Sequence, residues 1–191
     1  MKNLGLQDKV QLSFHAYELG GRERTGLGVH ENLALKYGVS REEAAAMTDR
    51  VEKLGAELGL RFDFSKARSA PTFDAHRLIQ AAQSVGRGPA LMERLHLAHF
   101  AEGQDLSDLA TLQALGVEAG LSAELVKGVL DTQAFAEQVE EDEQRAVAYE
   151  ISGVPFTVMN GRLAVPGAQP VATFEQALQQ VLAMGPAEGK S

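Results

Sequence analysis

The chain has five histidines, the residue type best suited to binding a metal or moving a proton near neutral pH. Glu93, His96 and His99 follow at i, i+3 and i+6, so neighbours on a helix could share a metal ion. Two imidazoles and one carboxylate make an incomplete ligand set. The pattern therefore reads as an ordinary helix face, and no metal and no cofactor is expected. His76, after Asp74 and Ala75, is a lone imidazole that either serves a site or simply hydrogen-bonds. The acids Glu137, Glu140, Glu141, Asp142 and Glu143 crowd one short stretch, which reads as a solvated helix face. No spacing among the carboxylates singles out an acid–base pair. A Gly-x-Ser-x-Gly elbow is missing, and the glycine-rich run from Gly20 to Gly28 has no Gly-Lys-Ser/Thr to hold phosphate. Above all, there is no cysteine, which excludes disulfides, thiolate nucleophiles and Cys-ligated zinc or iron–sulfur clusters within these residues.

The segment Gly153-Val154-Pro155-Phe156 is the most unusual local feature. Proline cannot donate to a β-ladder and restricts the residue before it, so its place directly ahead of a strand calls for a reason. Spacing alone leaves the isomer of the Val154–Pro155 bond open, with trans the commoner form.

The elements that must position these residues fall into three stretches of a 191-residue chain. Val10, Leu12 and Phe14 alternate with Gln11, Ser13 and His15, which predicts a strand over 10–17. From Ser40 to about Ile151 the period is helical, and about six helices are expected. Ser40 and Glu43 form a capping box, after which Met47, Val51, Leu54 and Leu58 share one face and Gly59 ends the helix. Thr72 opens the next helix, with Ala75, Leu78, Ile79 and Ala82 as its apolar stripe and Gly86 after it. Pro89 starts a third helix bearing Leu91, Leu95 and Ala98. Ser107, Ser122 and Thr132 are the expected starts of the remaining three. Phe156–Met159, Asn160-Gly161 and Leu163–Val165 then read as a β-hairpin, followed by a closing helix with Phe174, Leu178, Val181 and Leu182. The fold class is α/β with a large helical insertion. Eighteen basic against 26 acidic side chains give a net charge of −8, which disfavours a nucleic-acid partner. No signal-like or membrane-spanning apolar run is present, so a cytoplasmic protein without a membrane partner is expected.

Together these segments resemble the FrnE-like branch of the DsbA thioredoxin-fold oxidoreductases, relatives of 2-hydroxychromene-2-carboxylate isomerase and kappa-class glutathione transferase. The resemblance rests on Ala16-Tyr17-Glu18-Leu19 at the end of a second strand, Leu35-Lys36-Tyr37-Gly38 ahead of a Ser-capped helix, and Thr72-Phe73-Asp74-Ala75-His76-Arg77-Leu78. Phe100-Ala101-Glu102-Gly103 with Ser107-Asp108, Gly153-Val154-Pro155-Phe156, and Val165-Pro166-Gly167-Ala168-Gln169-Pro170 continue it in order. It implies a thioredoxin-like domain split into 1–39 and 151–184 by a helical insertion at 40–150, with a tail at 185–191. It also implies a cis bond before Pro155. By the same resemblance Val154 and Pro155 offer backbone groups to an extended peptide or to glutathione, and Phe73 and His76 line that cleft. The family's Cys-x-x-Cys dithiol belongs to a first strand and helix, whereas only Met1–Lys9 precede the expected strand here. The expectation is therefore a truncated thiol–disulfide oxidoreductase or disulfide isomerase with no catalytic residue of its own, acting on protein or peptide thiols and disulfides. The alternative is a redox-inactive peptide- or partner-binding protein. Loss of the central first strand would leave open sheet edges at Val10–Ala16 and Phe156–Met159, through which a homodimer is expected.

Overall fold

The computed structural model describes residues 10–20, 22 and 26–185. Eight helices and two strands lie among them: α1 (Val29–Tyr37), α2 (Arg41–Glu57), α3 (Phe73–Ser84), α4 (Gly88–Phe100), α5 (Leu109–Glu118), α6 (Ala123–Leu130), α7 (Ala136–Ala148), β1 (Phe156–Met159), β2 (Leu163–Pro166) and α8 (Val171–Ala183). They group into two compact units, Ser13–Glu143 and the described residues of Met1–Leu12 with Gln144–Ser191.

The larger unit is built around α3. Its stripe Ala75, Leu78, Ile79 and Ala82 is buried against Leu91, Leu95 and Ala98 of α4, Leu112 and Leu115 of α5, and Val126 and Val129 of α6. That stripe follows the 3.6-residue period, so burying it is what holds the helices together. Caps define the ends. The Ser40 hydroxyl accepts from the Glu43 amide at 3.1 Å, while the Ser40 amide donates to the Glu43 carboxylate at 2.9 Å. Ser122 likewise caps α6, its hydroxyl accepting from the Leu125 amide at 3.2 Å. At Gly116 the helices approach so closely that a Cβ would lie 2.8 Å from Val126 and 3.3 Å from Leu78.

Several expectations need correction. Residues 10–17 form no strand. Their backbone finds side chains in place of a neighbouring strand: Gln83 accepts from the Phe14 amide at 2.6 Å and donates back to its carbonyl at 2.9 Å. The Ala16 amide donates to Asp142 at 2.9 Å. Helix α1 lies in a stretch whose weak apolar period predicts no helix. Glu31 accepting from the Gly28 amide at 3.2 Å starts it, and Gly38, at φ +65°, ends it. Helix α5 is capped by Asp108, which accepts from the Thr111 amide at 2.9 Å, because Ser107 is turned back onto Asp105. Helix α7 starts at Ala136 and not Thr132, since the Thr132 hydroxyl donates to the Gly128 carbonyl and accepts from the Ala134 amide. Finally, Met47, Val51, Leu54 and Leu58 share a face as expected, but that face is exposed.

In the smaller unit, β1 and β2 pair antiparallel with Met159 opposite Leu163. Asn160 and Gly161 both take positive φ in the turn, and the Arg162 amide donates to the Met159 carbonyl at 3.1 Å. Helix α8 packs on this hairpin through a face that buries Ala177 and Val181.

Candidate functional site

Val154 and Pro155 stand together immediately before β1, in the smaller unit. The peptide bond between them is cis. The Pro155 carbonyl accepts from the Gly167 amide at 2.8 Å, which ties the loop to the far end of β2. Val154 itself is 44% exposed, and its backbone makes no hydrogen bond among the described residues. An amide and a carbonyl left free on an exposed loop leading into a strand are what an extended peptide needs for ladder-type pairing. Beside the hairpin, Tyr149, Phe156, Val158, Arg162 and Leu163 line a shallow hollow of about 200 Å³.

Phe73 and His76 stand together in the larger unit, one turn apart at the start of α3. The Arg22 guanidinium lies over the Phe73 ring, 3.9 Å from its centroid, an arrangement favourable for a cation on an aromatic face. The same guanidinium donates to Glu18 at 3.0 Å and to Glu143 at 3.5 Å, with Glu140 at 3.7 Å. The Glu18 side chain is only 9% exposed, and its Oε1 is buried without a hydrogen-bond donor. Burial, and then the neighbouring Glu18 carboxyl, push the Glu143 carboxyl above its ordinary pKa. Burial holds His76 below the usual histidine range, against the pull of Glu143 and Asp142 in the opposite direction. Burial thus biases His76 towards its neutral form and the nearby Glu143 carboxyl towards holding its proton. The sequence places Glu143 in a solvated acidic face and Glu18 at a strand end, and their spacing of 121 and 4 residues from Arg22 leaves no local pattern that would group the three.

Other residues of the α3 motif have structural work. Arg77 is 2% exposed and donates to the carbonyls of Val129, Thr132 and Ala134 while pairing with Asp74 at 2.7 Å. It therefore fastens the end of α6 and the link to α7. Asp142 does not belong to a solvated acidic face, for it is buried and accepts from His15 at 2.6 Å, Ala16 at 2.9 Å and Gln80 at 2.6 Å. Glu93 is exposed, and the rings of His96 and His99 pack against Phe100 with centroids 5.8 and 4.7 Å away. No group of three or more potential metal ligands occurs among the described residues. No helix of the described residues is long and apolar enough to cross a membrane.

A DsbA-like thioredoxin domain model matches residues 2–179, and the chain belongs to that family. The crystal structure of a probable DsbA oxidoreductase from Streptomyces coelicolor is 35% identical over 89% of this chain and 74% of that one, with a TM-score of 0.80. A candidate protein disulfide isomerase from Nitrosomonas europaea shares the fold at 19% identity, covering 82% of this chain and 89% of that one with a TM-score of 0.64. No curated protein matches. The fold is thus DsbA-like thioredoxin with a largely helical insertion, and the β1–β2 hairpin is the part of its sheet found among the described residues.

Proposed function

We propose that these 191 residues supply the polypeptide-docking part of a FrnE-like thiol–disulfide oxidoreductase and none of its redox chemistry. The carrying observation is an exposed Val154 whose backbone groups make no hydrogen bond among the described residues, in a chain with no thiol nucleophile. Thiol–disulfide exchange proceeds by thiolate attack on a disulfide sulfur, and no side chain here substitutes for that thiolate. Docking needs only the loop. An extended segment of a client protein pairs with the Val154 amide and carbonyl, and apolar side chains of the client meet the hairpin surface. Protein and peptide thiols or disulfides are the client class, with glutathione as the smallest member. The FrnE-like assignment rests on the Thr72–Leu78, Phe100–Asp108 and Val165–Pro170 motifs.

Labelled, carboxymethylated insulin B chain tests the docking, because it is extended and carries no reactive thiol. Fluorescence anisotropy is expected to show saturable binding that Val154→Ala retains. Val154→Pro, which removes the donor N–H, is expected to abolish it with the circular dichroism spectrum unchanged. Binding that survives Val154→Pro in a folded variant would contradict the reading. A redox-inactive partner-binding role is the second reading, favoured by the absence of cysteine. The mass of the protein from its native source separates the two: a longer, thiol-bearing species supports the first, and a 20.5 kDa species without thiols supports the second.

A further inference from the structure

The face of α2 that carries Met47, Val51 and Leu54, continued by Leu58 at its C-cap, is apolar yet open to solvent, with these residues 45, 45, 53 and 78% exposed. Their spacing of four, three and four residues is the a/d repeat of a helix-pairing seam, with Val51 and Leu58 at a and Met47 and Leu54 at d. Helix α2 packs on its own chain through the side adjoining this seam, burying Ala44, Thr48 and Gly55. A four-residue seam is therefore presented outward from a helix already anchored from the side.

The residues flanking the seam say what covers it. On its outer edge, at the two g positions, are Arg50 and Glu57. Both are exposed, and neither has an ion-pair partner among the described residues. When two copies of this helix run antiparallel about a two-fold axis, Val51 layers with Leu54 of the second copy and Met47 with Leu58. The same register sets Arg50 opposite Glu57 of the second copy and, by symmetry, Glu57 opposite Arg50. A parallel pairing would instead set Arg50 beside Gly55 of the second copy, with no opposite charge across the seam. The seam is thus complementary to itself in one orientation, in apolar layers and in charge.

The geometry points to a homodimer formed by antiparallel pairing of α2 with α2 of a second copy, closed by two symmetric Arg50–Glu57 ion pairs. This surface shares no residue with the hairpin edges or with Val154, so the proposal stands independently of the docking role. An isologous two-fold contact uses the same patch twice and closes on itself without leading to a filament. The contact is small among specific interfaces, so a reversible dimer in the micromolar range is expected.

Sedimentation velocity on the full chain, over about 5 to about 500 µM, tests this. The wild-type chain is expected to shift from monomer to dimer across that range. The double variant Val51→Lys, Leu54→Lys places charge at two exposed positions and is expected to stay monomeric with its thermal midpoint maintained. Arg50→Glu is expected to weaken the dimer tenfold or more, and adding Glu57→Arg to restore it. Val158→Lys on the exposed side of the hairpin is expected to leave the dimer intact. A chain monomeric at every concentration overturns the proposal, as does a dimer that survives the Val51/Leu54 double variant. A dimer lost with Val158→Lys and kept with the α2 variants overturns it in favour of the sheet edge.

Discussion

Burial acts on His76 and Glu143 in opposite directions along the pH scale. Burial holds His76 below its unfolded value, so the unfolded chain binds the proton more readily than the folded one. The stability associated with the neutral imidazole is present above the unfolded histidine pKa and is lost as pH falls through the window beneath it. His96 and His99 are lowered by burial too and add to the same window. Equilibrium urea unfolding is accordingly expected to give a lower midpoint at pH 5.5 than at pH 7.5, and His76→Gln to lessen the difference. Glu143 is raised, so the folded chain holds its proton more tightly. That contribution is complete below the unfolded carboxyl pKa and disappears as pH rises through the folded one. Glu143→Gln, which mimics the protonated form beside the buried Glu18 Oε1, is expected to raise the urea midpoint at pH 8 and to have little effect at pH 4. Arg77 presents a different balance, because its guanidinium is buried and three backbone carbonyls depend on it. Arg77→Ala is expected to cost about 3–5 kcal/mol in urea unfolding, and Arg77→Lys to recover only part, since an ammonium cannot reproduce the planar fork.

Helix α5 leaves little room at its buried glycine. A methyl group at Gly116 would sit 2.8 Å from Val126 and 3.3 Å from Leu78, both fully buried. Gly116→Ala is expected to destabilise by about 1–3 kcal/mol despite the better helix propensity of alanine, read as a lowered thermal midpoint. The elements legible in the sequence were those whose signal is local. The Ser40–Glu43 box, the Ser122 cap, the α3 stripe and the Asn160-Gly161 turn are each set by neighbours within a few residues. What escaped depends on partners far along the chain. The alternation of 10–17 is genuine, but a strand needs a neighbouring strand, and here Gln83 and Asp142 supply the hydrogen bonds instead. The α2 stripe has helical period, and period reports a shared face without saying what that face meets. Asp142 looked like one acid among five until three donors converged on it from residues 15, 16 and 80. The candidate site divides the same way. Val154–Pro155 was legible as a motif, whereas the Glu18, Arg22 and Glu143 cluster required the chain to fold.

For the whole molecule, the decisive fact is compositional: a chain of the DsbA-like family that contains no cysteine. The fold retains an exposed loop ahead of a hairpin, with backbone groups free to pair, and a helical unit with its own buried core. Neither feature moves electrons. Family membership therefore transfers the fold, while the chemistry transfers only with the thiols that perform it. The direct test follows insulin reduction by dithiothreitol through chromatographic separation of the released A and B chains, a readout insensitive to any effect of binding on aggregation. The account predicts that adding these 191 residues leaves the rate of chain release at its uncatalysed value at every protein concentration. A rate that rises in proportion to the protein added would contradict it.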